Sequence, residues 1–322
     1  MPSENVDGAI KLAVEASEGG VRLDVFLAKR RAVPSAAAAR RALASGIVRV
    51  GGYKAKKGMH LQPGDVVELG EESTQVVVLE PTPDLGLTVL YQDGDLLAVD
   101  KPPGIASHPL RAGDGPTVAS ALVARFPECA AASPDAREGG LGHRLDLGTS
   151  GVLLAARSRE AWHRLREALA TPACEKIYLA EVCGRFPSDE EREFVLPGPR
   201  PSSFVVTVPI GRQGRRGSKV KLAGGRQPLA ARTEITLLET RPGGGLVEAR
   251  LSHGRAHQVR AHLAYLGIPV KGDGTYGQVD KVDEATDPGL HLHAWVVSIV
   301  HPITSEPLRV EAPPPTWAQR RV

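Results

Sequence analysis

The 322-residue sequence predicts an α+β fold in two parts of unequal size. Short β patterns recur through most of the chain with few helical patterns between them, and they do not alternate with helices in the βαβ rhythm of a parallel sheet. A Glu-Pro-Thr-Pro sequence at 80–83 ends a segment of linker-like composition. We therefore predict an N-terminal tail over 1–18, a small α/β-ribbon unit over 19–70, a linker over 71–87, and a largely antiparallel sheet domain with flanking helices over 88–316.

The small unit is predicted to contain two helices and a β ribbon. Residues 22–30 place apolar side chains at helical spacing, and Ser35 is a suitable N-cap for a second helix through Ala44. Gly51-Gly52 is typical of a hairpin turn after an apolar run. A second turn at 63–65 is followed by a predicted strand at 66–69.

The larger domain is predicted to be rich in strands. Its two clearest helical patterns are one capped by Ser158 and one over 255–266, which ends before Gly267. The Arg212–Arg226 stretch combines basic residues and glycines without an acid, and we expect it to be a mobile surface loop. The predicted strands are Asp95–Asp100, Gly151–Ala156, Lys176–Cys183, Thr233–Leu238 and Leu246–Leu251.

Basic charge is concentrated near the N-terminus. Residues 21–60 contain ten Lys or Arg side chains and one acid, Asp24, and so carry a net charge of +9, although the whole chain carries only +3. A solvated face usually mixes both signs, whereas clustered basic charge suits a phosphate backbone. The side chains predicted to contact RNA in this unit are Arg40, Arg41, Arg49, Lys54, Lys56 and Lys57.

Composition limits the other classes of protein. No apolar run approaches the roughly 18 residues that a membrane-spanning helix needs, and the N-terminus lacks a signal-peptide pattern. The three cysteines are too few and too scattered for a disulfide framework or a structural zinc site. We expect a cytoplasmic protein.

Two clusters contain the candidate catalytic residues. One is His-Arg-Leu-Asp-Leu-Gly-Thr-Ser-Gly at 143–151, which places Asp146 just before an apolar strand. The other is Gly-Arg-Ala-His-Gln-Val-Arg at 254–260. On a helix, Arg260 lies about 100° from the inward Val259, at the border of the buried stripe, where a guanidinium can meet a partly buried carboxylate. Taken alone, an aspartate such as Asp146 more often caps a turn, and Arg260 could equally be a surface side chain over the core.

Together these segments resemble the RluA-type pseudouridine synthases, and the resemblance covers roughly residues 88–315. The N-terminal unit resembles the αL RNA-binding domain that ribosomal small-subunit protein four shares with several RNA-modifying enzymes. Departures from the family motifs are Leu147, where a basic residue is common, and Ala256, where the family has threonine. The matching motifs, in the family's order, lie at 91–104, 143–151, 176–184, 254–260, 272–277 and 292–294.

The resemblance implies a role for each matching residue. Asp146 would be the catalytic carboxylate, Arg260 its ion-pair partner, and Tyr178 the ring that stacks on the uracil. Arg144 would fill the place of a flipped-out nucleotide, and Arg255 and His257 would be further RNA contacts. The isomerisation involves no redox change, so we expect neither a cofactor nor a metal. Asp146 could attack the sugar or remove a ribose proton, and the sequence leaves both routes open.

Three other classes of protein are suggested by parts of the sequence. A non-catalytic RNA-binding protein would explain the basic unit but not the ordered motifs. A serine hydrolase is suggested by Gly-Thr-Ser-Gly at 148–151, which falls short of Gly-x-Ser-x-Gly. A zinc enzyme is suggested by four histidines, but His-Glu-x-x-His and the deaminase Cys-x-x-Cys are missing. The histidines are His257, His262, His291 and His293.

The predicted partner is a structured RNA. Large-subunit ribosomal RNA is favoured, because an αL domain joined to this type of catalytic domain resembles the bacterial enzymes that modify that RNA; transfer RNA is the alternative. We expect a monomer.

Overall fold

The computed structural model describes most of the chain as two compact units, Met1–Val77 and Val78–Val322. The described strands are mostly antiparallel and are accompanied by four α-helices, which confirms the α+β prediction. The described residues are 5–6, 9–30, 32–33, 39, 42–43, 46–56, 58–70, 79–110, 114–187, 193–213, 219–277 and 289–319.

The N-terminal unit is a five-stranded sheet packed against helix α1 (Leu23–Lys29). The helix buries Leu23, Phe26 and Leu27, the three apolar positions at helical spacing, among residues of the sheet. Its strands are β1 (Asn5–Val6), β2 (Ala9–Ala13), β3 (Val48–Val50), β4 (Tyr53–Lys54) and β5 (Val66–Leu69), in the order β1-β2-β5-β3-β4. The predicted hairpin is present, because β3 pairs with β4 across Gly51-Gly52.

Two predicted boundaries of this part of the chain are wrong. Residues 9–13 are not a free tail, because residues 10–13 of β2 pair with β5 and extend the sheet. The predicted linker ends too late, because Leu79 is buried in the core of the second unit. Most of the second predicted helix, with Arg40 and Arg41, and also Lys57, lies outside the described residues.

The second unit is built on a ten-stranded sheet in the order β10-β11-β15-β16-β9-β17-β8-β7-β6, with β18 beside β17. Only β8 and β17 pair in parallel among the strands of this sheet that the structure describes. These strands are β6 (Thr88–Gln92), β7 (Leu96–Lys101), β8 (Ser150–Ala156), β9 (Glu175–Cys183), β10 (Val195–Pro197), β11 (Ser203–Val206), β15 (Thr233–Arg241), β16 (Gly244–Leu251), β17 (Leu292–Val300) and β18 (Pro307–Glu311).

Helices cover both faces of this sheet at β7 and β8. Successive side chains of these two strands point to opposite faces of the sheet. Leu97 and Leu153 pack with helix α2 (Val118–Arg125) on one face. Leu96 and Leu154 pack with helix α3 (Arg159–Ala168) on the other face. Ser158 caps α3 by accepting a hydrogen bond from the Ala161 backbone, as predicted. The fourth helix, α4, is Gln258–Tyr265. Among the described residues, the helices have seven to ten residues, and none is long and apolar enough to cross a bilayer.

The stretch predicted as a mobile loop contains a small sheet instead. Strands β12 (Ile210–Gln213), β13 (Lys219–Leu222) and β14 (Arg226–Leu229) pair in the order β13-β12-β14. Ile210 and Val220 are buried in a small cluster with residues of α4, and this apolar contact stabilises strands in a stretch whose composition resembles a loop. Residues 214–218 lie outside the described residues.

Candidate active site

Asp146 lies in a loop that leads into β8, and a neighbouring segment fixes the shape of this loop. The Thr149 backbone N–H donates to the Asp146 carbonyl at 3.1 Å, which closes a tight turn just after the carboxylate. The Ser107 hydroxyl donates to the Leu145 carbonyl at 3.0 Å and accepts from the Leu145 N–H at 3.1 Å. Gly104 N–H donates to the Leu147 carbonyl at 2.9 Å. Hydrogen bonds therefore hold the backbone on both sides of Asp146.

Lys101 is the third element that holds this loop. Its side chain is fully buried at the end of β7, and Nζ donates to the carbonyls of Pro102, Leu147 and Thr149 at 2.9, 3.0 and 2.7 Å. Burial lowers the pKa of Lys101 to about 8, while the charges of Asp146 and Asp100 act in the opposite direction. The ammonium therefore supplies a donor to three carbonyls around the loop, of which that of Leu147 also accepts from the Gly104 N–H.

Replacing Lys101 by methionine should destabilise the second unit. Methionine fills similar space but removes the charged donor from three carbonyls, of which only that of Leu147 keeps the Gly104 N–H, and we expect a loss of roughly 2–5 kcal/mol in the free energy of unfolding. Urea unfolding followed by tryptophan fluorescence measures this directly, because Trp162, Trp295 and Trp317 all belong to this unit. Lys221→Met, at an exposed lysine, is the control; an equal effect in both variants would contradict the role of Lys101.

The Asp146 loop enters the sheet through a close backbone contact at Gly151. Gly151 has φ +108°, and a Cβ built there would lie 2.2 Å from the carbonyl oxygen of Ala294 on β17. Only glycine fits this contact between the parallel strands β8 and β17. The last glycine of the Asp146 motif is therefore required by packing.

Arg260 connects two carboxylates. Its Nη1 donates to Asp146 Oδ2 at 2.7 Å, while Nε and Nη2 donate to Asp273 Oδ2 and Oδ1 at 2.8 and 2.7 Å. The Asp273 side chain is completely buried, whereas the Asp146 side chain is 24% exposed. The Arg260 guanidinium, together with two backbone N–H groups, holds the pKa of Asp273 below its ordinary value against the effect of burial. The bidentate pair with Asp273 uses Nε and Nη2, fixes the guanidinium and leaves Nη1 to donate to Asp146.

Two aromatic residues complete the surroundings of this ion pair. The Tyr276 ring faces the Arg260 guanidinium, 5.4 Å from its centroid, and its hydroxyl lies 2.9 Å from Nδ1 of His257. His257 Nε2 lies 3.7 Å from Asp146 Oδ1, and burial lowers the pKa of His257 despite that carboxylate. His257 has φ +54°, a left-handed conformation that is uncommon for a residue other than glycine. Helix α4 therefore begins at Gln258, three residues later than predicted.

Tyr178 lies opposite these groups in a cavity of about 230 Å³. Burial and the nearby Asp146 charge raise the pKa of Tyr178, so that it remains a phenol at neutral pH. Its strand, β9, pairs with both β16 and β17, which places the ring in the middle of the sheet. Asp146, Tyr178 and Arg260, predicted from three distant segments, line this one cavity.

A second and more open cavity of about 730 Å³ shares the Asp146 end of the first. Both are lined by Arg144, Asp146, His257 and Arg260, and Arg144 is exposed. Arg255 lines the first cavity, and its Nε donates to the Ala230 carbonyl at 3.3 Å. These predicted RNA contacts therefore surround the carboxylate. Arg49, Lys54 and Lys56 are exposed on the N-terminal unit.

The residues behind the hydrolase and zinc hypotheses have other partners. Ser150 does bond His293, with the hydroxyl 2.9 Å from Nδ1, but no carboxylate contacts this ring within the described part of the chain. A Ser-His-acid triad is therefore incomplete there. The other three histidines are separated: His257 contacts Tyr276, His262 contacts Thr233, and His291 contacts Glu181.

Comparisons with known proteins show to which family the chain belongs. A family model described as RNA pseudouridylate synthase matches residues 95–265, and the S4 domain model matches residues 21–67. Ribosomal large subunit pseudouridine synthase D of Xanthomonas campestris pv. campestris is 32% identical over 99% of this chain and 93% of its own length. The chain belongs to the RluA family of RNA pseudouridine synthases. It is therefore an isomerase that acts on RNA.

Two further proteins are similar to this synthase. Ribosomal large subunit pseudouridine synthase C of Pasteurella multocida is 32% identical over 96% of the chain and 91% of its own length. The solved structure of human RNA pseudouridylate synthase domain containing 1 is 27% identical, with a TM-score of 0.54, over 73% of the chain and 86% of that structure. The second comparison shows that the fold of the larger unit is that of the family.

Sequence analysis did not assign roles to three residues of this synthase. Asp273 and Lys101 stand in motifs that match the family, but nothing in the motifs shows that Asp273 is the buried partner of Arg260 or that Lys101 clamps the Asp146 loop. Lys176, which is buried beside Tyr178, belongs to the motif at 176–184, but the motif does not assign it a role. A lysine or aspartate predicted to lie in a buried strand or turn is the signal that could have identified them, since such residues are rarely buried without a partner.

Proposed function

We propose that this enzyme converts specific uridines of large-subunit ribosomal RNA to pseudouridine, with Asp146 as the catalytic carboxylate. The observation that carries the proposal is the position of Asp146, which lines both cavities and accepts a hydrogen bond from a guanidinium that is itself fixed by a buried aspartate. A carboxylate so placed is accessible to a ribose and is held in one orientation.

The reaction begins with cleavage of the bond between ribose C1′ and uracil N1. Asp146 either attacks C1′ or removes the proton from C2′, and the charged form of the carboxylate is required in both routes. Arg260 Nη1 donates to the carboxylate and fixes its orientation. The base then turns and bonds to C1′ through C5, which either displaces Asp146 from C1′ or is accompanied by return of the proton from Asp146 to C2′. One proton leaves C5 and one is added at N1.

Tyr178 is proposed to stack on the uracil while it is detached from the sugar. Because the pKa of Tyr178 is raised, the ring carries a hydroxyl and not a phenolate at neutral pH, which favours stacking over removal of the C5 proton. The target nucleotide has to leave its stacked strand to reach the first cavity. Exposed Arg144, at the entrance that the two cavities share, is the side chain proposed to take its place in the RNA.

Large-subunit ribosomal RNA is proposed as the substrate because two relatives are named as synthases of the ribosomal large subunit. Synthases D and C of the ribosomal large subunit match this chain over 93% and 91% of their own lengths, including the N-terminal unit. Action on this RNA implies a cytoplasmic enzyme, and a monomer remains our expectation. Transfer RNA is the alternative substrate, and mapping of pseudouridine in total RNA distinguishes the two.

The exposed cations of the N-terminal unit should determine part of the salt dependence of RNA binding. Arg49, Lys54 and Lys56 form no ion pair with the residues that the structure describes, whereas Arg22 and Arg30 already pair with acids. Changing these three cations to glutamine should weaken binding. The slope of log affinity against log salt is negative, and its magnitude should fall by roughly 2–3. Filter binding to a large-subunit ribosomal RNA transcript across a salt series measures both quantities.

A matched control removes three exposed arginines of the second unit. Arg159, Arg164 and Arg309 do not line either cavity, so their change to glutamine alters the net charge equally without touching the proposed surface. We expect a smaller change in slope. Equal slopes for both triple variants would contradict a specific role of the N-terminal unit in phosphate binding.

A further inference from the structure

Lys176 is a buried cation that lacks a protein partner within the described part of the chain. The residue is only 5% exposed, and no hydrogen bond or ion pair reaches Nζ from the described residues. Burying an ammonium group without a partner costs several kcal/mol, so such a side chain is expected to serve a ligand. Lys176 lines the same cavity as Asp146 and Tyr178.

The strand directs Lys176 and Tyr178 to the same side. Residues 176 and 178 are two apart on β9, and side chains at that spacing lie on one face of a sheet. A Cβ built on Gly254 would lie 3.6 Å from Nζ, so the glycine backbone borders the ammonium in this cavity. The Lys176 ammonium thus lies beside the place proposed for the uracil ring.

Positive charge surrounds this end of the cavity. Arg166 lines it and donates to the Gly142 carbonyl at 3.0 Å. His143 Nε2 accepts from the Leu154 N–H, and burial, with the charges of Lys176 and Arg166, lowers the pKa of His143 to about 3. Burial and Arg166 also lower the pKa of Lys176. The protein therefore disfavours the ammonium by itself, and a negative group beside it would stabilise it.

We propose that Lys176 is a further catalytic residue, whose ammonium stabilises the negative charge that develops on the uracil when the glycosidic bond breaks. The electron pair of the C1′–N1 bond passes to N1 and is delocalised over O2 and O4, giving a uracil anion. Attack of C5 on C1′ uses an electron pair of the ring and either breaks the bond between C1′ and Asp146, whose carboxylate recovers its electron pair, or is accompanied by return of the proton from Asp146 to C2′. The ring is then neutral, and loss of the C5 proton with protonation at N1 restores its conjugation. The intact uridine base is neutral, so this interaction strengthens as the bond breaks. The inference rests on the proposed function.

The test uses a better leaving group. Fluorine at C5 withdraws electrons and stabilises the uracil anion without help from the protein. Single-turnover rates are measured on large-subunit ribosomal RNA transcripts containing either uridine or 5-fluorouridine, and the carbon-linked product is quantified by mass spectrometry after nuclease digestion. With 5-fluorouridine, C5 has no proton to lose, so the product keeps fluorine and adds water across the N1–C6 double bond. The informative quantity is the ratio of the two rates, because both come from one protein preparation and any unfolded fraction cancels.

Lys176→Met should slow the reaction of uridine by roughly 100-fold or more and that of 5-fluorouridine much less, so that the rate ratio rises by at least about tenfold. Lys176→Arg keeps the charge and should keep a ratio near that of the intact enzyme, as should the control Arg309→Met on β18. An unchanged ratio in Lys176→Met would overturn the proposal. If binding and its salt dependence changed while the ratio did not, Lys176 would be a phosphate contact instead.

Asp146→Asn separates this inference from the function on which it rests. Loss of both reactions in Asp146→Asn, with an unchanged ratio in Lys176→Met, would remove only the inference about Lys176. Activity retained by Asp146→Asn would remove the proposed function itself.

Discussion

Replacing Asp146 by asparagine abolishes pseudouridine formation, with an expected fall in the single-turnover rate of roughly 10⁴-fold or more. Asparagine has the same shape, and its Oδ1 can still accept the hydrogen bond that Arg260 Nη1 donates. The amide has no negative charge, so it neither attacks C1′ nor takes a ribose proton. Nucleoside mass spectrometry of a large-subunit ribosomal RNA transcript after incubation with each variant measures the effect.

Asp95→Asn is the matched control for that experiment. Asp95 lies just before β7 and does not line either cavity, so the same chemical change should leave turnover close to normal. RNA binding by Asp146→Asn should remain close to that of the intact enzyme. Substantial turnover in Asp146→Asn would contradict its catalytic role.

Replacing Arg260 by methionine should reduce both turnover and stability. Asp146 loses the donor that orients it, and we expect turnover to fall by roughly 100-fold or more. Asp273 is left as a buried carboxylate without its cation, which should cost about 3–5 kcal/mol in the free energy of unfolding. Single-turnover kinetics and urea unfolding followed by tryptophan fluorescence measure the two effects separately.

The double change Arg260→Met with Asp273→Asn distinguishes orientation of Asp146 from folding. Asparagine at 273 carries no charge, and its carbonyl can still accept from the Thr275 and Tyr276 N–H groups, so most of the lost stability should return. Turnover should stay low, because Asp146 still lacks its partner. If turnover recovered together with stability, Arg260 would serve folding alone.

Patterns that depend on local spacing were predicted well from the sequence. The strand bounds at β7, β8 and β9, the cap at Ser158 and the inward face of α4 all follow from side-chain periodicity, which the chain expresses over a few residues. The contact between Arg260 and Asp146 was predicted as well, although it joins residues 114 positions apart. That prediction depended on the family motifs, because spacing alone left Arg260 on the surface or at the core border.

Elements that depend on distant partners were missed. Strand β2 is stabilised by pairing with the edge of β5. The strands between Ile210 and Leu229 are stabilised by a few apolar residues that pack against α4. Their composition suggests a tail and a loop. The start of α4 was misplaced because His257 adopts a left-handed backbone that its residue type does not indicate. Burial of Lys101 and Lys176 was missed for a similar reason, since lysine is usually exposed.

The most direct test of the central claim is a pseudouridine map of total RNA from cells that make either the intact chain or Asp146→Asn as their only copy of this enzyme. The account predicts that specific sites in large-subunit ribosomal RNA are modified with the intact chain and unmodified with the variant. Dependence of transfer RNA sites on Asp146 would retain the chemistry and replace the proposed substrate. If no site in any RNA depended on Asp146, the catalytic assignment would be contradicted.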